Sequence, residues 1–277
     1  MKKLYASLFL ASSLVLTSLP AYAAGAAGPA MKIDGVTVLS DAKPETKNNR
    51  TMVPLRVVSE NLGATVNWAN SEVTLKSGGM KVTLKPNSGT ATKDGQAVAL
   101  DAKPYVKNDR IYVPLRFIAE TFGSKVDYRD GTVTVDTAPL KIDGTSVKAL
   151  LHEIHMTMGG IVDRINGNAN IAAIYRLLEE NKGNKVEAPA NYSWSFHLVD
   201  SGGYYKIGHF DFIDAKEQSL RQYDLYTLFN ENSTVLIHDV TADQWFEFSA
   251  SARDAINQAL GLAEQNGFVK EISNTVA

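Results

Sequence analysis

One phrase occurs twice in this chain: RTMVPLR at Arg50–Arg56 and RIYVPLR at Arg110–Arg116. Aligned without a gap at an offset of sixty, residues 41–76 and 101–136 are identical at sixteen of thirty-six positions, and most other pairs are like for like: Val58/Ile118, Leu62/Phe122, Trp68/Tyr128. Asp34-Gly35 and Asp94-Gly95 keep the same offset upstream. A gapless internal repeat of this length is a duplication, so half the chain must be built from one supersecondary unit used twice.

The unit can be read residue by residue. Asp34-Gly35 between KI and VTV suits a tight hairpin, since both positions tolerate positive φ. A short strand is expected near Thr51–Val53 and again near Ile111–Val113. Pro54 and Pro114 then stand where a helix begins, and Leu55, Val58 and Leu62 (Leu115, Ile118 and Phe122 in the second copy) follow at helical spacing. Gly63 and Gly123 end the helices. Alternation resumes at Val66 and Trp68, which share a face and are expected in the core, as are Val126 and Tyr128. Asn70-Ser71 and Asp130-Gly131 turn each chain into a last strand. Each copy of about sixty residues is marginal alone, so the two are expected to share a core or a sheet.

Arg56 and Arg116 fall in the first helical turn, where the helix dipole disfavours a positive charge. Glu60 and Glu120 lie four residues on, so an internal ion pair is the leading expectation. The alternative is that the two arginines bind an anionic polymer.

NNRTMVPLRVVSENLGATVNW and NDRIYVPLRFIAETFGSKVDY resemble the signature of the copper amine oxidase N-terminal-like, or stalk, domain family over about residues 31–137. The resemblance implies small α+β units, often in tandem, in exported proteins of Gram-positive bacteria, commonly at the cell wall. It implies no oxidase. In that family's enzymes the metal and the quinone belong to a separate large domain, for which the chain beyond 138 is too short. Residues 31–137 contain no histidine, and Asn191-Tyr192 is followed by Ser193 rather than an acidic residue.

Lys2 and Lys3, an apolar Leu4–Leu19 and the small-x-small Ala21–Ala23 read as a signal peptide over 1–23, followed by a flexible leader at 24–30. The apolar run is short for a membrane span and no second one follows, so no membrane span is expected after cleavage. Removing Lys2 and Lys3 from 28 basic side chains leaves fewer of them than the 30 acidic ones, which argues against a nucleic-acid partner. The absence of cysteine excludes disulfides and thiolate metal sites. A secreted, cell-wall-associated protein of a Gram-positive envelope is the expected setting.

A boundary is expected near Thr137–Pro139, giving a duplicated domain at 31–137 (copies about 31–90 and 91–137) and a C-terminal α+β domain at 138–277. APLKIDG at Ala138–Gly144 echoes MKIDG out of register. Val147, Leu150, Leu151, Ile154, Met158, Ile161, Val162 and Ile165 make an apolar stripe at helical spacing, so a helix is expected there. A second helix is expected over Ile171–Asn181, capped by Asn170, and a last one from Ser249 or Ser251 to Asn266-Gly267, with Asp254 completing the cap. Between them YSWSFHLV, YYKIGHFDFI, YDLYTLF and TVLIHDV read as strands, the first two joined as a hairpin through Ser201–Gly203. The fold class is therefore α+β: duplicated, mostly-β units with one short helix each, then an antiparallel sheet with flanking helices.

All five histidines lie in the second half. HEIHMTM is not the i, i+4 pattern of a zinc protease, and solvent-facing histidines on a helix are the expectation there. No G-x-S-x-G elbow exists, and Asp211 and Asp214 point to opposite faces of a strand. The hairpin register would make His197 and His209 diagonal neighbours with Asp211 beside them, the one candidate facial metal site in the pattern. No catalytic residue and no cofactor is assigned. The expected function is a non-catalytic envelope protein whose stalk-like module acts as a spacer or binds wall polymer. Its partners would be cell-wall polysaccharide or another envelope protein, and its C-terminal domain an effector or binding domain. The competing expectation is a secreted wall hydrolase with its active site in residues 146–277.

Overall fold

The computed structural model describes residues 29–276 except 157–158, 196, 198 and 200–201. The expected signal peptide and residues 24–28 of the expected leader lie outside the described residues. Strands dominate, with four helices and several sheets, in agreement with an α+β class.

The first half follows the repeat. β1 (Ala30–Ile33) and β2 (Val36–Thr37) form a hairpin around Asp34 and Gly35, whose φ values of 51° and 82° explain the choice of residues. Then come β3 (Glu45–Lys47), β4 (Arg50–Pro54), α1 (Leu55–Asn61), β5 (Thr65–Ala69), β6 (Glu72–Ser77) and a connecting strand β7 (Met80–Leu84). The second copy supplies β8 (Thr90–Lys93), β9 (Gln96–Ala99), β10 (Tyr105–Lys107), β11 (Arg110–Pro114), α2 (Leu115–Thr121), β12 (Lys125–Arg129) and β13 (Thr132–Asp136). Pro54 and Pro114 are each both the last strand residue and the helix N-cap, so the helices begin at Leu55 and Leu115, one position later than expected.

The copies are not two beads. β4 and β11 pair antiparallel with Val53 opposite Val113, so residues sixty apart meet at one point and a pseudo-two-fold axis passes through it. The hairpins are exchanged. β1 and β2 of the first copy extend the sheet of the second, β12-β13-β1-β2, with Ile33 beside Val135 in parallel register. β8 and β9 of the second copy complete the sheet of the first, β5-β6-β7-β8-β9. Ile33, Val53, Val113 and Val135 are wholly buried. The third sheet, β10-β11-β4-β3, curls until its edges meet, and the Tyr105 hydroxyl of one copy donates to Glu45 of the other.

In the second half, β14 (Lys141–Ile142) and β15 (Thr145–Ser146) repeat the Asp-Gly hairpin once more, with Asp143 and Gly144 at positive φ. The large sheet is built from β16 (Ala149–Met156), β17 (Gly159–Ile165), β18 (Lys182–Val186), β19 (Tyr192–Ser193), β20 (Tyr204–Ile213), β21 (Ser219–Leu228), β22 (Glu231–Asp239), β23 (Gln244–Ser249) and β24 (Val269–Asn274). Its order is β18-β23-β22-β21-β20-β16-β17-β24, with β19 beside β20. Helices α3 (Asn168–Glu180) and α4 (Ala250–Gln265) cover one face, burying Ile171, Ile174, Leu178, Ala252 and Ile256 with Leu150, Phe212 and Tyr223. The edge of the Tyr175 ring meets Phe212 at 5.2 Å. The buried core runs without a break from Met31 to Phe268.

Three expectations are corrected. Residues 147–165 are a β-hairpin, β16–β17, and not a helix; Met158, which completed the apolar stripe, lies outside the described residues. Leu150 and His152 are buried on one face while Leu151 and Glu153 are half-buried on the other, a period of two that the apolar count concealed. Gly159 opens β17 opposite Met156, and its φ of 109° and the Thr275 carbonyl oxygen, 2.0 Å from where a Cβ would sit, exclude any other residue. YSWSFHLV does not form a hairpin with β20. Its two-residue β19 runs parallel to β20, Tyr192 beside Tyr204, while Phe196, Leu198, Asp200 and Ser201 of that expectation lie outside the described residues. Helix caps differ in part. Asn170 lies inside α3, whose cap is Gly167, whereas α4 starts at the expected Ser249, which accepts from the Ala252 amide at 3.0 Å, while Asp254 binds Arg253 instead of completing the cap.

Two contacts tie the halves together. Asp34 accepts from the Thr137 amide (2.8 Å) and hydroxyl and from the Asn168 amide (2.8 Å) at the start of α3. Leu39 donates its amide to Asn266 (3.0 Å) and lies over Gly267, where a side chain would collide with it. Replacing Asp34 by Ala leaves three donors without their carboxylate and is expected to lower stability by about 1–3 kcal/mol in urea unfolding. A fragment of 30–90 lacks β13, β11 and nearly all of β8, the cross-copy partners of β1, β4 and β7, and is expected to show no cooperative transition, whereas 30–137 retains one.

His152 supplies a second test. It is buried and stacked on Phe210 at 4.6 Å, and burial, aided by nearby His209, pushes its pKa down to about 4. The folded state thus binds the neutral ring, and the unfolded chain takes up a proton first as pH falls from about 6.5. This contribution is complete above pH 6.5 and is lost between 6.5 and 4, by up to about 3 kcal/mol. Urea unfolding at pH 7, 5.5 and 4 is expected to show that fall, with a shallower fall in His152→Leu.

Candidate functional site

The strand-to-helix corners place the recurring arginines at the rims of two grooves. The smaller, of about 270 Å³, is lined by Asn49, Arg50 and Thr51 of the first copy and by Asp101, Pro114, Leu115, Arg116 and Tyr128 of the second. Moved by sixty, every one of these positions lines the larger groove of about 690 Å³: Asp109, Arg110 and Ile111, then Asp41, Pro54, Leu55, Arg56 and Trp68. Two clefts that correspond position by position are what the pseudo-two-fold axis must produce, because each joins the helix corner of one copy to the β-turn of the other.

The grooves are built with crossed ion pairs. Arg50 Nε lies 2.6 Å from Asp101, and the equivalent Arg110 binds Asp41. Arg56 meets Glu60 at 3.3 Å, so the internal ion pair forms, while Arg116 and Glu120 are only at 3.9 Å. Both Arg56 and Arg116 keep more than half of their side-chain surface in water. Burial raises the Glu60 pKa, with the Arg56 charge working against it.

Trp68 and Tyr128 are not core. They are 46% and 45% exposed, although Val66 and Val126 on the same strands pack against the core. Each aromatic sits two residues from a hairpin tip, beyond the edge of the helix that covers its valine. The expectation of burial rested on side-chain parity alone, which assigns a face but not how far the covering layer extends. An exposed flat ring beside an arginine and a Pro-Leu corner offers stacking on one side and hydrogen-bond donors on the other.

In the large sheet the helix-free face carries a row across five strands: Glu153, His209, Asp224, His238 and Trp245, each opposite the next. His209 Nδ1 lies 2.7 Å from Asp224 Oδ1, and Lys206 Nζ lies 2.9 Å from Asp224 Oδ2, to which the Tyr226 hydroxyl also donates. Burial works to raise the Asp224 pKa, but the bonds from His209 and Lys206 outweigh it and hold the carboxylate below its ordinary range. His238 stacks on Trp245 at 4.5 Å. His197 is exposed and lies off the regular strands, because the antiparallel hairpin that would have set it beside His209 does not form. Asp211 shares a strand with His209 but binds Ser219 at 2.6 Å. Among the described residues no group of three His, Cys, Asp or Glu side chains could hold a metal ion. The His209–Asp224 pairing was missed because it depends on which strand follows β20 in the sheet.

Among the described residues no helix is long and apolar enough to cross a membrane. No curated protein matches the chain. The tandem corners, the exchanged hairpins and most of the lining of the paired grooves fall within one stretch, and that stretch, residues 32–137, matches the copper amine oxidase N-terminal domain family.

Proposed function

We propose that this is an exported, non-catalytic protein of a bacterial cell envelope whose N-terminal module binds wall polysaccharide in two grooves. The observation that carries the reading is the correspondence between the grooves: every residue lining the smaller one has its counterpart, sixty positions away, lining the larger. Each presents an exposed aromatic ring and two arginines, a combination suited to a polyhydroxylated, partly anionic chain. The C-terminal sheet then serves as the effector or second binding domain, and the unbroken core makes module and effector one body.

The hydrolase alternative would recruit the His209–Asp224 pair, which orients an imidazole as general bases require. Lys206 shares that carboxylate, so Asp224 is not dedicated to the imidazole. His209→Ala is expected to leave isolated walls undigested to the same extent as the parent chain; loss of a measurable wall-degrading activity in that variant would establish the enzyme.

Purified Gram-positive sacculi are expected to retain the mature chain in a sedimentation assay. Retention should weaken as salt is raised, because exposed arginine contacts are screened. The Arg56→Ala/Arg116→Ala variant should lose most of its retention, on the order of tenfold, while its unfolding midpoint moves little, since exposed i,i+4 pairs contribute only tenths of a kcal/mol. A variant that unfolds easily yet binds as before would return both arginines to a purely structural role.

A further inference from the structure

Although the grooves share a plan, their linings have diverged. The smaller contains two arginines and one carboxylate, Asp101. The larger contains two arginines against three carboxylates: Asp41, Glu60 and Asp109. The difference at the helix is geometric as well. Glu60 is turned in to line its groove and sits within 3.3 Å of Arg56, whereas Glu120 stays largely in solvent, 3.9 Å from Arg116, and does not line the smaller groove. Arg116 is therefore the less neutralised of the two.

The second half of the chain adds to only one groove. Gln258, Leu262 and Gln265 of α4, with Asn266 at its end, wall the larger groove opposite Trp68, and no residue beyond 137 lines the smaller one. The clip between Leu39 and Asn266 holds α4 in that position. A cleft with Trp68 and Leu262 on its walls, amides at its rim and no excess of positive charge suits the apolar face and neutral hydroxyls of an uncharged sugar. A small open cleft with a net positive lining suits an acidic one.

Resting on the polysaccharide reading above, we propose that the two grooves are distinct subsites of different specificity. The groove of Trp68, Arg56 and α4 takes an uncharged pyranoside, stacked on Trp68. The groove of Arg50, Arg116 and Tyr128 takes a sugar bearing a carboxylate or phosphate, whose oxygens bind the guanidinium groups. A single molecule thereby grips a heteropolymer at two chemically different residues, or joins two chains of different kind.

Calorimetric titration of the mature chain with three defined probes tests this: an N-acetylglucosamine tetramer, a galacturonate tetramer and a glycerol phosphate oligomer, the last two separating carboxylate from phosphate. Trp68→Ala is expected to weaken the neutral probe tenfold or more and to leave the acidic ones within twofold. Arg116→Ala is expected to do the reverse. Raising sodium chloride from 50 to 500 mM should weaken only acidic binding. Leu262→Glu, placed on the exposed wall of α4, should weaken only the neutral probe, so the assignment does not hang on one substitution. Equal losses for both probe classes in Trp68→Ala and Arg116→Ala would mean one undivided site and overturn the proposal. Retention on sacculi without binding of any probe would overturn it while leaving the polysaccharide reading in place, and absence of both would remove the two together.

Discussion

The antiparallel pairing of β4 with β11, centred on Val53 and Val113, is the contact from which the first half of the molecule is generated. It sets one copy of the repeat against the other about a pseudo-two-fold axis, so anything one copy lacks must come from its twin. The hairpin of each copy closes the other's sheet, and the Asp41 and Asp101 carboxylates cross over to Arg110 and Arg50. A unit of about sixty residues buries too little surface to be secure alone, and exchange of hairpins solves this with one shared interior instead of two thin ones. The grooves follow from the same exchange. Neither exists within a single copy, because each needs the helix corner of one and the β-turn of the other.

What could be read from the residues was what is settled locally. The VPLR corners, the Asp-Gly turns and the α3 and α4 segments all depend on neighbours a few positions away, where proline geometry, positive φ and helical spacing act. Which sheet a hairpin joins is decided by contacts a hundred residues distant, and nothing in MKIDGVTV announces that its neighbour is the strand at Thr132–Asp136. Residues 147–165 failed for a different reason. Apolar side chains at 150, 151, 154, 161, 162 and 165 fit a helical stripe, but they fit two alternating strands as well, with Gly159 and Gly160 opening the second of them. The glycine pair at the head of β17 argued against a helix, since a helix interior tolerates glycine poorly.

The C-terminal sheet separates its histidines by environment. His152, between the sheet and the helices, is held neutral by burial, whereas His209 on the open face meets a carboxylate that Lys206 already holds. The row from Glu153 to Trp245 thus alternates acid, base and aromatic across five strands, and each polar member finds its partner in the protein, as with Asp224 and His209 or His238 and Asp243 at 3.1 Å.

The recurring arginines remain the sharpest pointer to function, because stability does not account for them. A cation in the first turn of a helix opposes the dipole, and an arginine placed four residues before a glutamate is the weaker of the two possible orders for such a pair. Exposed pairs of this kind return only about 0.3–0.5 kcal/mol in the best case, and that of Arg116 is stretched to 3.9 Å. Reversing each pair, with the glutamate first, would stabilise α1 and α2 through both effects at once. The sequence instead keeps a guanidinium beside Pro-Leu at both corners, where it projects over a cleft and faces an exposed ring. Positions that work against the helix and lie at equivalent places in two grooves support the proposal that a polymer enters those grooves.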